Sequence, residues 1–328
     1  MQAAVVHTLG EPPSHAAHPD PRPGRGRSLV RVTATPLVPL DLLCASGTSY
    51  FGPPAVPYVP GVQGVGLVES SGSLEAGTRV WFATFAGMAP GDGGLAELVA
   101  VRDQDLVPIL EPVGDADLAA LGLSAVAAWM SLTWRARLQA GERVLVLGGG
   151  GAVGQAAIGA ARILGAERVV AACRSRAAAA RAVAAGADEV VLTSEEPAGL
   201  VDRLSQACAG QVDVVIDPVF GPTATSASRV LGSGGRLVNI GSAASEEATF
   251  SSALLRSRSI EILGYTNNAI SVAQRREALT EICRHAALGH LAVAHVVRPL
   301  ADIAEVWNLS ASSAASVRCV LTPHPDRH

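Results

Sequence analysis

The chain has 328 residues, 49% of them hydrophobic, and a formal net charge of −4 at pH 7. This length allows a large core and two domains, while the acidic balance, without any basic cluster, argues against a nucleic-acid partner. All 25 basic residues are Arg, which excludes lysine-dependent mechanisms such as a Walker A loop, Schiff-base chemistry or a Tyr-x-x-x-Lys pair. The sequence shows no leader pattern and no uninterrupted apolar run of about 18 residues, so we expect a cytoplasmic protein without a membrane partner.

The N-terminal third predicts a compact β domain. Short apolar segments separated by Gly and Pro are typical of such a domain rather than of β-α-β units, and they lie at 3–7, 29–34, 66–70, 79–83 and 96–101. A helix capped by Asp117 is predicted through Met130, and a second helix is predicted through Trp134 and Leu138.

The middle of the chain predicts a doubly wound parallel sheet, because apolar strands alternate with helical segments. The strands are predicted at 144–147, 169–172, 189–192, 212–217, 235–240 and 260–264. After Gly289 the chain returns to a short strand at 295–299, a helix at 301–309 and a last strand at 317–321. We therefore predict an α/β fold in which a Rossmann domain, 118–287, is inserted into a β-rich substrate domain formed by 1–117 and 288–328, with a substrate cleft between them.

A glycine-rich turn follows the first strand of that Rossmann domain. Gly149, Gly151 and Gly154 fit the spacing G-x-G-x-x-G, in which the first Gly allows the tight turn, the second lets the backbone approach a pyrophosphate and the third lets helix and strand pack closely. The helix predicted at 152–164 and the strand after it complete the required β-α-β unit. We expect the pyrophosphate at the helix N-terminus, near Ala152 and Val153, where free N–H groups and the helix dipole favour negative charge.

The end of the second strand indicates which dinucleotide binds. NAD-specific folds place Asp or Glu there to bind the ribose 2′-hydroxyl, whereas this chain has Arg174, Ser175 and Arg176 after Cys173. Two guanidinium groups flanking a hydroxyl could hold a 2′-phosphate through charge-assisted hydrogen bonds, which favours NADPH. The alternative is that Arg174 and Arg176 are solvated residues at the start of a surface helix.

The whole chain resembles the medium-chain dehydrogenase/reductase superfamily, in its zinc-independent quinone oxidoreductase and enoyl reductase branch. The resemblance is distributed in the family's order over nearly the full length. It rests on the segments PLVPLD with SGT (36–48), YVPGVQGVG (58–66), GTRVW (77–81), GGLAE (93–97), the glycine turn, AGAD (185–188), DVVID (213–217) and GGRLV (234–238).

This resemblance implies a GroES-like β-rich catalytic domain and hydride transfer from a nicotinamide to an enone C=C bond or a quinone. It implies that the cofactor or substrate cleft is lined by Gly241, Ser242, Tyr265, Asn267 and Asn268. Relatives are often dimers, and the strand 260–264 could pair across a two-fold axis, so we expect a homodimer.

Tyr50 is the candidate catalytic residue, because some relatives carry a substrate-facing tyrosine near this position. A phenol could donate a hydrogen bond to a carbonyl oxygen and stabilise the enolate as hydride arrives. The alternative is a half-buried Tyr that packs in a loop.

The chain departs from zinc-dependent relatives, which carry Cys and Gly-His-Glu for catalytic zinc and four closely spaced Cys for structural zinc. It has Gly61-Val62-Gln63 at the corresponding place, and its five Cys, at 44, 173, 208, 283 and 319, show no C-x-x-C spacing. All eight His lie at 7, 15, 18, 285, 290, 295, 324 and 328. Zinc needs three or four converging ligands, so we expect no metal, Cys44 as a small buried hydrophobe and reduced thiols mostly in the core.

Three further departures remove polar groups from the expected nicotinamide side. Val38 stands where quinone oxidoreductases commonly have Asn, Ala127 where they have Thr, and Gln63 where they have an acidic residue. We interpret these changes as a more apolar pocket for a bulky substrate, such as a polyketide. Two other interpretations stay open: a carbonyl reductase, and a non-catalytic NADPH-binding or structural protein.

Overall fold

The structure is a computed structural model that describes residues 1–194, 199–312 and 317–323. The chain divides into two compact units. The first consists of Met1–Gly122, Leu279–Ala287 and the chain from Ala294 on, and the second of Leu123–Ala278 and Leu288–Val293. These units differ from the predicted domains in three places: the first division follows residue 122 rather than 117, residues 279–287 belong to the first unit, and residues 288–293 belong to the second.

The helices and strands of the described residues are, in chain order, β1 (Gln2–Val5), β2 (Ser14–Ala17), β3 (Arg27–Pro36), α1 (Pro39–Ala45), β4 (Gln63–Ser70), β5 (Arg79–Ala83), β6 (Leu98–Arg102), β7 (Leu106–Pro108), α2 (Asp115–Met130), β8 (Arg143–Leu147), α3 (Ala152–Ile163), β9 (Arg168–Cys173), α4 (Arg176–Ala184), β10 (Glu189–Leu192), α5 (Leu200–Ala207), β11 (Val212–Asp217), α6 (Gly221–Ser228), β12 (Leu231–Asn239), α7 (Ser252–Arg258), β13 (Glu261–Gly264), α8 (Val272–Ala287), β14 (His295–Pro299), α9 (Ile303–Ala311) and β15 (Arg318–Thr322). Short 3-10 turns precede β7 and α9.

The second unit contains a six-stranded parallel sheet in the order β10-β9-β8-β11-β12-β13. The chain winds outward from β8 in one direction and from β11 in the other, so the strand order reverses between these two strands. The central strands β8 and β11 are mostly apolar and have no exposed side chain, as expected where helices cover both faces of a parallel sheet. The predicted doubly wound fold and its six strands are confirmed.

The first unit contains a seven-stranded sheet in the order β14-β15-β3-β4-β5-β7, with β6 paired to β3. Side chains of β3 alternate between buried and half-buried, so that Val30, Val32 and Ala34 point to one inner face. This face packs on a cluster that includes Val80 and Phe82. The predicted β-rich part of the fold is confirmed, although β2, β7 and α1 were not predicted.

Helix α2 is interrupted at Gly122, which has non-helical angles of φ 32° and ψ −132°. The predicted second helix through Trp134 and Leu138 is wrong, because Ser131–Arg135 forms a π-helical turn and Arg137 then adopts a left-handed φ of 53°. The stretch Asp115–Arg135 is long and apolar enough to cross a membrane, but 78% of its most apolar window is buried inside the protein, as in a core helix.

A half-buried ion pair ties β12 to the loop before β8. Arg236 donates Nη1 and Nη2 to the two carboxylate oxygens of Glu142 at 2.9 and 2.8 Å, and its Nε donates to the carbonyl of Ala136. Burial alone would raise the pKa of Glu142, but the hydrogen bonds from Arg236 and Gln139 and the Arg236 charge lower it below its ordinary value.

We predict that Glu142→Gln costs about 3 kcal/mol of unfolding free energy at pH 7, because it leaves the Arg236 charge uncompensated in a poorly solvated place. A lowered carboxyl pKa contributes stability above the unfolded-state pKa of about 4.5, and this contribution is lost as the pH falls through the folded-state pKa. Urea unfolding between pH 3 and 7 should therefore show a smaller acid-dependent loss in the variant. The control is Glu261→Gln, which removes the exposed pair with Arg137 and should cost about 1 kcal/mol or less.

Candidate functional site

The glycine turn after β8 forms a tight loop that leads into α3. Gly148 has a left-handed φ of 63°, and the N–H of Gly151 donates to the Gly148 carbonyl at 2.9 Å. A Cβ at Gly154 would lie 2.3 Å from that same carbonyl oxygen, so only Gly fits where the helix meets the loop. Ala152 and Val153 are partly exposed and belong to the first turn of α3, whose N–H groups have no partner within the helix.

The loop after β11 faces the glycine loop at the point where the strand order reverses. Asp217 is fully buried, and its Oδ1 accepts the N–H groups of Val219 and Phe220 at 2.9 and 2.7 Å. Burial raises the pKa of Asp217. Phe220 adopts a φ of 60°, and Val219 approaches within 2.9 Å of where a Cβ on Gly148 would be. Asp217 therefore fixes a strained turn against the glycine loop, in the crevice where doubly wound folds bind nucleotides.

The end of β9 exposes the predicted 2′-phosphate residues. Arg174, Ser175 and Arg176 are all exposed, and neither Arg has a hydrogen bond or ion pair with another described residue. Ser175 caps α4, since its Oγ accepts the N–H of Ala178 at 3.3 Å. Both guanidinium groups are thus accessible to solvent at the end of β9, whereas the Ser175 hydroxyl caps the N-terminus of α4.

The predicted residues after β12 and β13 make contacts within the second unit. Gly241 accepts a hydrogen bond at its carbonyl from Asn239, and Ser242 donates to the carboxylate of Glu246. Tyr265 donates its hydroxyl to Asn267 Oδ1 at 2.8 Å, while Asn267 Nδ2 donates to the Leu123 carbonyl at 3.1 Å. Burial raises the pKa of Tyr265. Tyr265 and Asn267 therefore support each other and the backbone at the start of the second unit.

In the first unit, a buried carboxylate organises the turn at which zinc-dependent relatives carry Gly-His-Glu. Asp41 Oδ1 accepts the N–H groups of Gly61 and Val62, and Oδ2 accepts that of Val38, each at 3.0 Å. Burial raises the Asp41 pKa to about 6, although these hydrogen bonds and the positive charge of Arg318 act in the opposite direction. Asp41 therefore holds α1 and the turn at residues 61–62 together.

The remaining sequence candidates of the first unit differ in exposure. Tyr50 is 78% exposed, and its ring centroid lies 4.2 Å from that of Phe51. It therefore lacks the half-buried packing considered as its alternative, and its hydroxyl has no polar partner among the described residues. Val38 and Gln63 are buried, and the Gln63 side chain lies against Gly122. Ala127, in the second unit, is buried in α2.

The residues present do not fit a zinc site. Cys44 is buried beside Asp41 and Tyr58, but the Asp41 carboxylate is already occupied by backbone donors. Within residues 1–194, 199–312 and 317–323, no three His, Cys, Asp or Glu side chains are grouped so that they could hold a metal ion. All five cysteines are buried and free of disulfides, as expected. Histidines 324 and 328 lie outside the described residues.

These features define a class of protein, a Rossmann-type nucleotide-binding unit combined with a β-rich unit. Two family models match the chain: the alcohol dehydrogenase GroES-like domain over residues 24–111 and the zinc-binding dehydrogenase model over residues 152–283. The chain belongs to the medium-chain dehydrogenase/reductase superfamily, in its quinone oxidoreductase branch.

Individual relatives agree with this family. Rat quinone oxidoreductase is 31% identical over 250 residues, which cover 74% of this chain and 73% of the relative. A phenolphthiocerol/phthiocerol polyketide synthase chain of Mycobacterium tuberculosis is 30% identical over 306 residues, 92% of this chain but 14% of that protein. The quinone oxidoreductase of Thermus thermophilus, solved alone and with NADPH, is 31% identical and superposes with a TM-score of 0.82 over 98% of this chain and 100% of its own.

Several residues that shape the nucleotide-binding loops were not among the predicted site residues. Asp217 carried a signal, because a carboxylate at the carboxyl end of an apolar parallel strand lies at the binding edge of the sheet. Gln155 and Arg181, which both contact the glycine loop, carried none, since one lies in an apolar helix and the other in a run of alanines.

We predict that Gly154→Ala weakens dinucleotide binding by at least about tenfold and destabilises the second unit by about 2 kcal/mol, because the new methyl group would overlap the Gly148 carbonyl and the Gly149 Cα. Titration of NADPH by protein fluorescence and urea unfolding would measure both effects. Gly72→Ala is the matched control, since its Cβ would meet open space. Unchanged binding in Gly154→Ala would contradict the assignment of this loop as the pyrophosphate site.

We predict that Asp41 makes stability decrease as the pH rises from about 4 to about 6. A carboxyl group whose pKa is raised on folding, here from 3.8 to about 6, favours the folded state most when protonated. The difference corresponds to about 3 kcal/mol. Urea unfolding across this range should show the stability of the wild type falling relative to that of Asp41→Asn as the pH rises, while the exposed Asp202→Asn should behave as the wild type. Asp41→Ala should be less stable than Asp41→Asn, because three buried N–H groups lose their acceptor.

Proposed function

We propose that this protein is an NADPH-dependent reductase that transfers hydride to an electron-poor C=C bond of an enone or to a quinone, without a metal. The observation that carries the proposal is the accessible pair Arg174 and Arg176 at the end of β9, beside a glycine loop that can bind the pyrophosphate. The Thermus thermophilus relative, solved with NADPH, supports the choice of cofactor.

The glycine loop and the start of α3 would bind the pyrophosphate. The N–H groups of Ala152 and Val153 would donate to its oxygens, and the positive end of the α3 dipole favours the negative charge. Arg174 and Arg176 would bind the 2′-phosphate through charge-assisted hydrogen bonds. When bound, the nicotinamide supplies the hydride from its C4 atom.

The residues around the acceptor would act mainly by orientation and by exclusion of water. Tyr50 is the proposed donor of a hydrogen bond to the substrate carbonyl oxygen, and its exposed hydroxyl leaves it available for this role. Val38, Ala127 and Gln63 are uncharged and buried, which supports an apolar substrate in secondary metabolism. The similarity of 92% of the chain to part of a polyketide synthase is consistent with a polyketide-type enone.

Two further properties belong to the proposal. Strand β13 is an edge of the parallel sheet and exposes Ile262, so a second copy could pair with it across a two-fold axis to give a homodimer. We also propose that the protein acts in the cytoplasm, in line with its buried, reduced thiols.

The second candidate function is a non-catalytic NADPH-binding protein. The specific observation in its favour is that Val38, Ala127 and Gln63 leave the predicted nicotinamide side without an ionisable group at these three positions. A carbonyl reductase is less well supported, because the chain contains no Lys for a Tyr-Lys pair and its described residues group no zinc ligands.

The test is oxidation of NADPH and of NADH against a panel of α,β-unsaturated ketones and a naphthoquinone, with the product mass determined. Turnover selective for NADPH that yields a saturated ketone or a quinol supports the reductase. Preference for small, polar enones alone would contradict the apolar pocket. NADPH binding without turnover of any acceptor would instead favour the non-catalytic function.

We predict that the double variant Arg174→Ala, Arg176→Ala loses NADPH affinity by about 30-fold or more, because two charge-assisted contacts to the 2′-phosphate disappear. NADH affinity should change by less than about twofold, since NADH has no 2′-phosphate. Calorimetric titration of both cofactors measures the selectivity. The control Arg256→Ala removes an exposed Arg of α7 and should leave both affinities unchanged. Equal affinities of the double variant and the wild type for NADPH would refute the assignment of these two residues.

A further inference from the structure

Gly150, in the middle of the glycine loop, is held at its carbonyl oxygen by two side chains. Its carbonyl oxygen accepts hydrogen bonds from Arg181 Nε at 2.9 Å and from Gln155 Nε2 at 3.0 Å. The buried thiol of Cys173, at the end of β9, lies near the backbone of Gly149 and Gly150. We call Gln155 and Arg181 the Gly150 clamp.

The clamp acts on a run of four glycines. Glycine has the largest conformational freedom of any residue, and Gly148 to Gly151 form an uninterrupted run of four. Without external contacts such a loop would have to become ordered when a ligand binds, which weakens binding. The clamp fixes the loop through contacts within the protein itself, next to the N–H groups at the start of α3.

Helix α4 lies close enough for Arg181 to contact the loop, because the residues of its first turns that face the loop are small alanines. A Cβ built on Gly150 would lie 2.5 Å from the Cα, Cβ and carbonyl oxygen of Ala178, so helix and loop are in direct backbone contact. Arg181 lies three residues further along the same helix face and reaches back to the Gly150 carbonyl. Its side chain is half-buried, and its positive charge also acts on Cys173.

We propose that Arg181 is a positioning residue of the dinucleotide site, which fixes the Gly150 carbonyl together with Gln155 and so pre-organises the pyrophosphate loop. The proposal rests on the proposed function, since it assumes that the loop binds a dinucleotide. Its role differs from that of Arg174 and Arg176. A residue that positions the pyrophosphate loop affects NADPH and NADH equally, whereas a residue that contacts the 2′-phosphate affects NADPH alone.

The experiment compares the wild type with Arg181→Ala, Arg181→Lys and the control Arg256→Ala. Calorimetry gives the affinities for NADPH and NADH, and hydrogen–deuterium exchange of the unliganded proteins gives the protection of residues 148–155. We expect Arg181→Ala to lose about tenfold in affinity for both cofactors, the loss associated with one hydrogen bond from a charged donor, and to exchange faster in this segment alone. Arg181→Lys, which keeps a charged donor, should recover part of both losses.

Three results would overturn the proposal. One is unchanged exchange of residues 148–155 in Arg181→Ala, a second is unchanged affinity for both cofactors, and a third is a loss confined to NADPH, which would make Arg181 a direct 2′-phosphate ligand. If the wild type binds neither cofactor, the proposed function fails, but the exchange measurement still decides whether Arg181 orders the loop. If Arg181→Ala does not fold, the same comparisons are made with Arg181→Lys, with a smaller expected loss.

Discussion

The nucleotide-binding unit depends on direct backbone contact between the glycine loop and its neighbours. The loop touches β9 and α4 so closely that Cβ atoms at Gly149, Gly150 and Gly154 would overlap other atoms. This contact lets α3 begin immediately beside the sheet, and it lets the loop after β11 approach from the other side. The crevice at the point of strand-order reversal therefore results from the absence of side chains in the loop rather than from their presence.

A second constraint acts in the first unit, where a buried carboxylate is the centre of a hydrogen-bonded turn. Asp41 binds three backbone N–H groups and connects α1 to the turn at residues 61–62, at the place where zinc-dependent relatives carry metal ligands. Such a carboxylate fixes the backbone but offers no vacant coordination position.

The sequence predicted the fold well because long, strongly periodic segments dominate it. Strands β10 and β11 have their predicted bounds, and α3 differs from its prediction by one residue. Prediction failed where the hydrophobic pattern does not reveal the backbone conformation. The π-helical turn continues the apolar pattern of α2 without a break, and α1 is too short to show a helical hydrophobic period. Within the candidate site, the glycine loop could be located from its spacing in the sequence. The role of Arg181 could not be predicted, because only the folded structure brings α4 onto the loop.

The contact between Gly150 and Ala178 has a consequence for how this protein can be altered. The two residues are 28 positions apart in the chain, and a side chain at Gly150 would overlap the backbone and the Cβ of Ala178. A library that randomises the segment from Cys173 onward would therefore meet its closest contact with the glycine loop at position 178. Cofactor preference in this protein is best evolved with that alanine held constant.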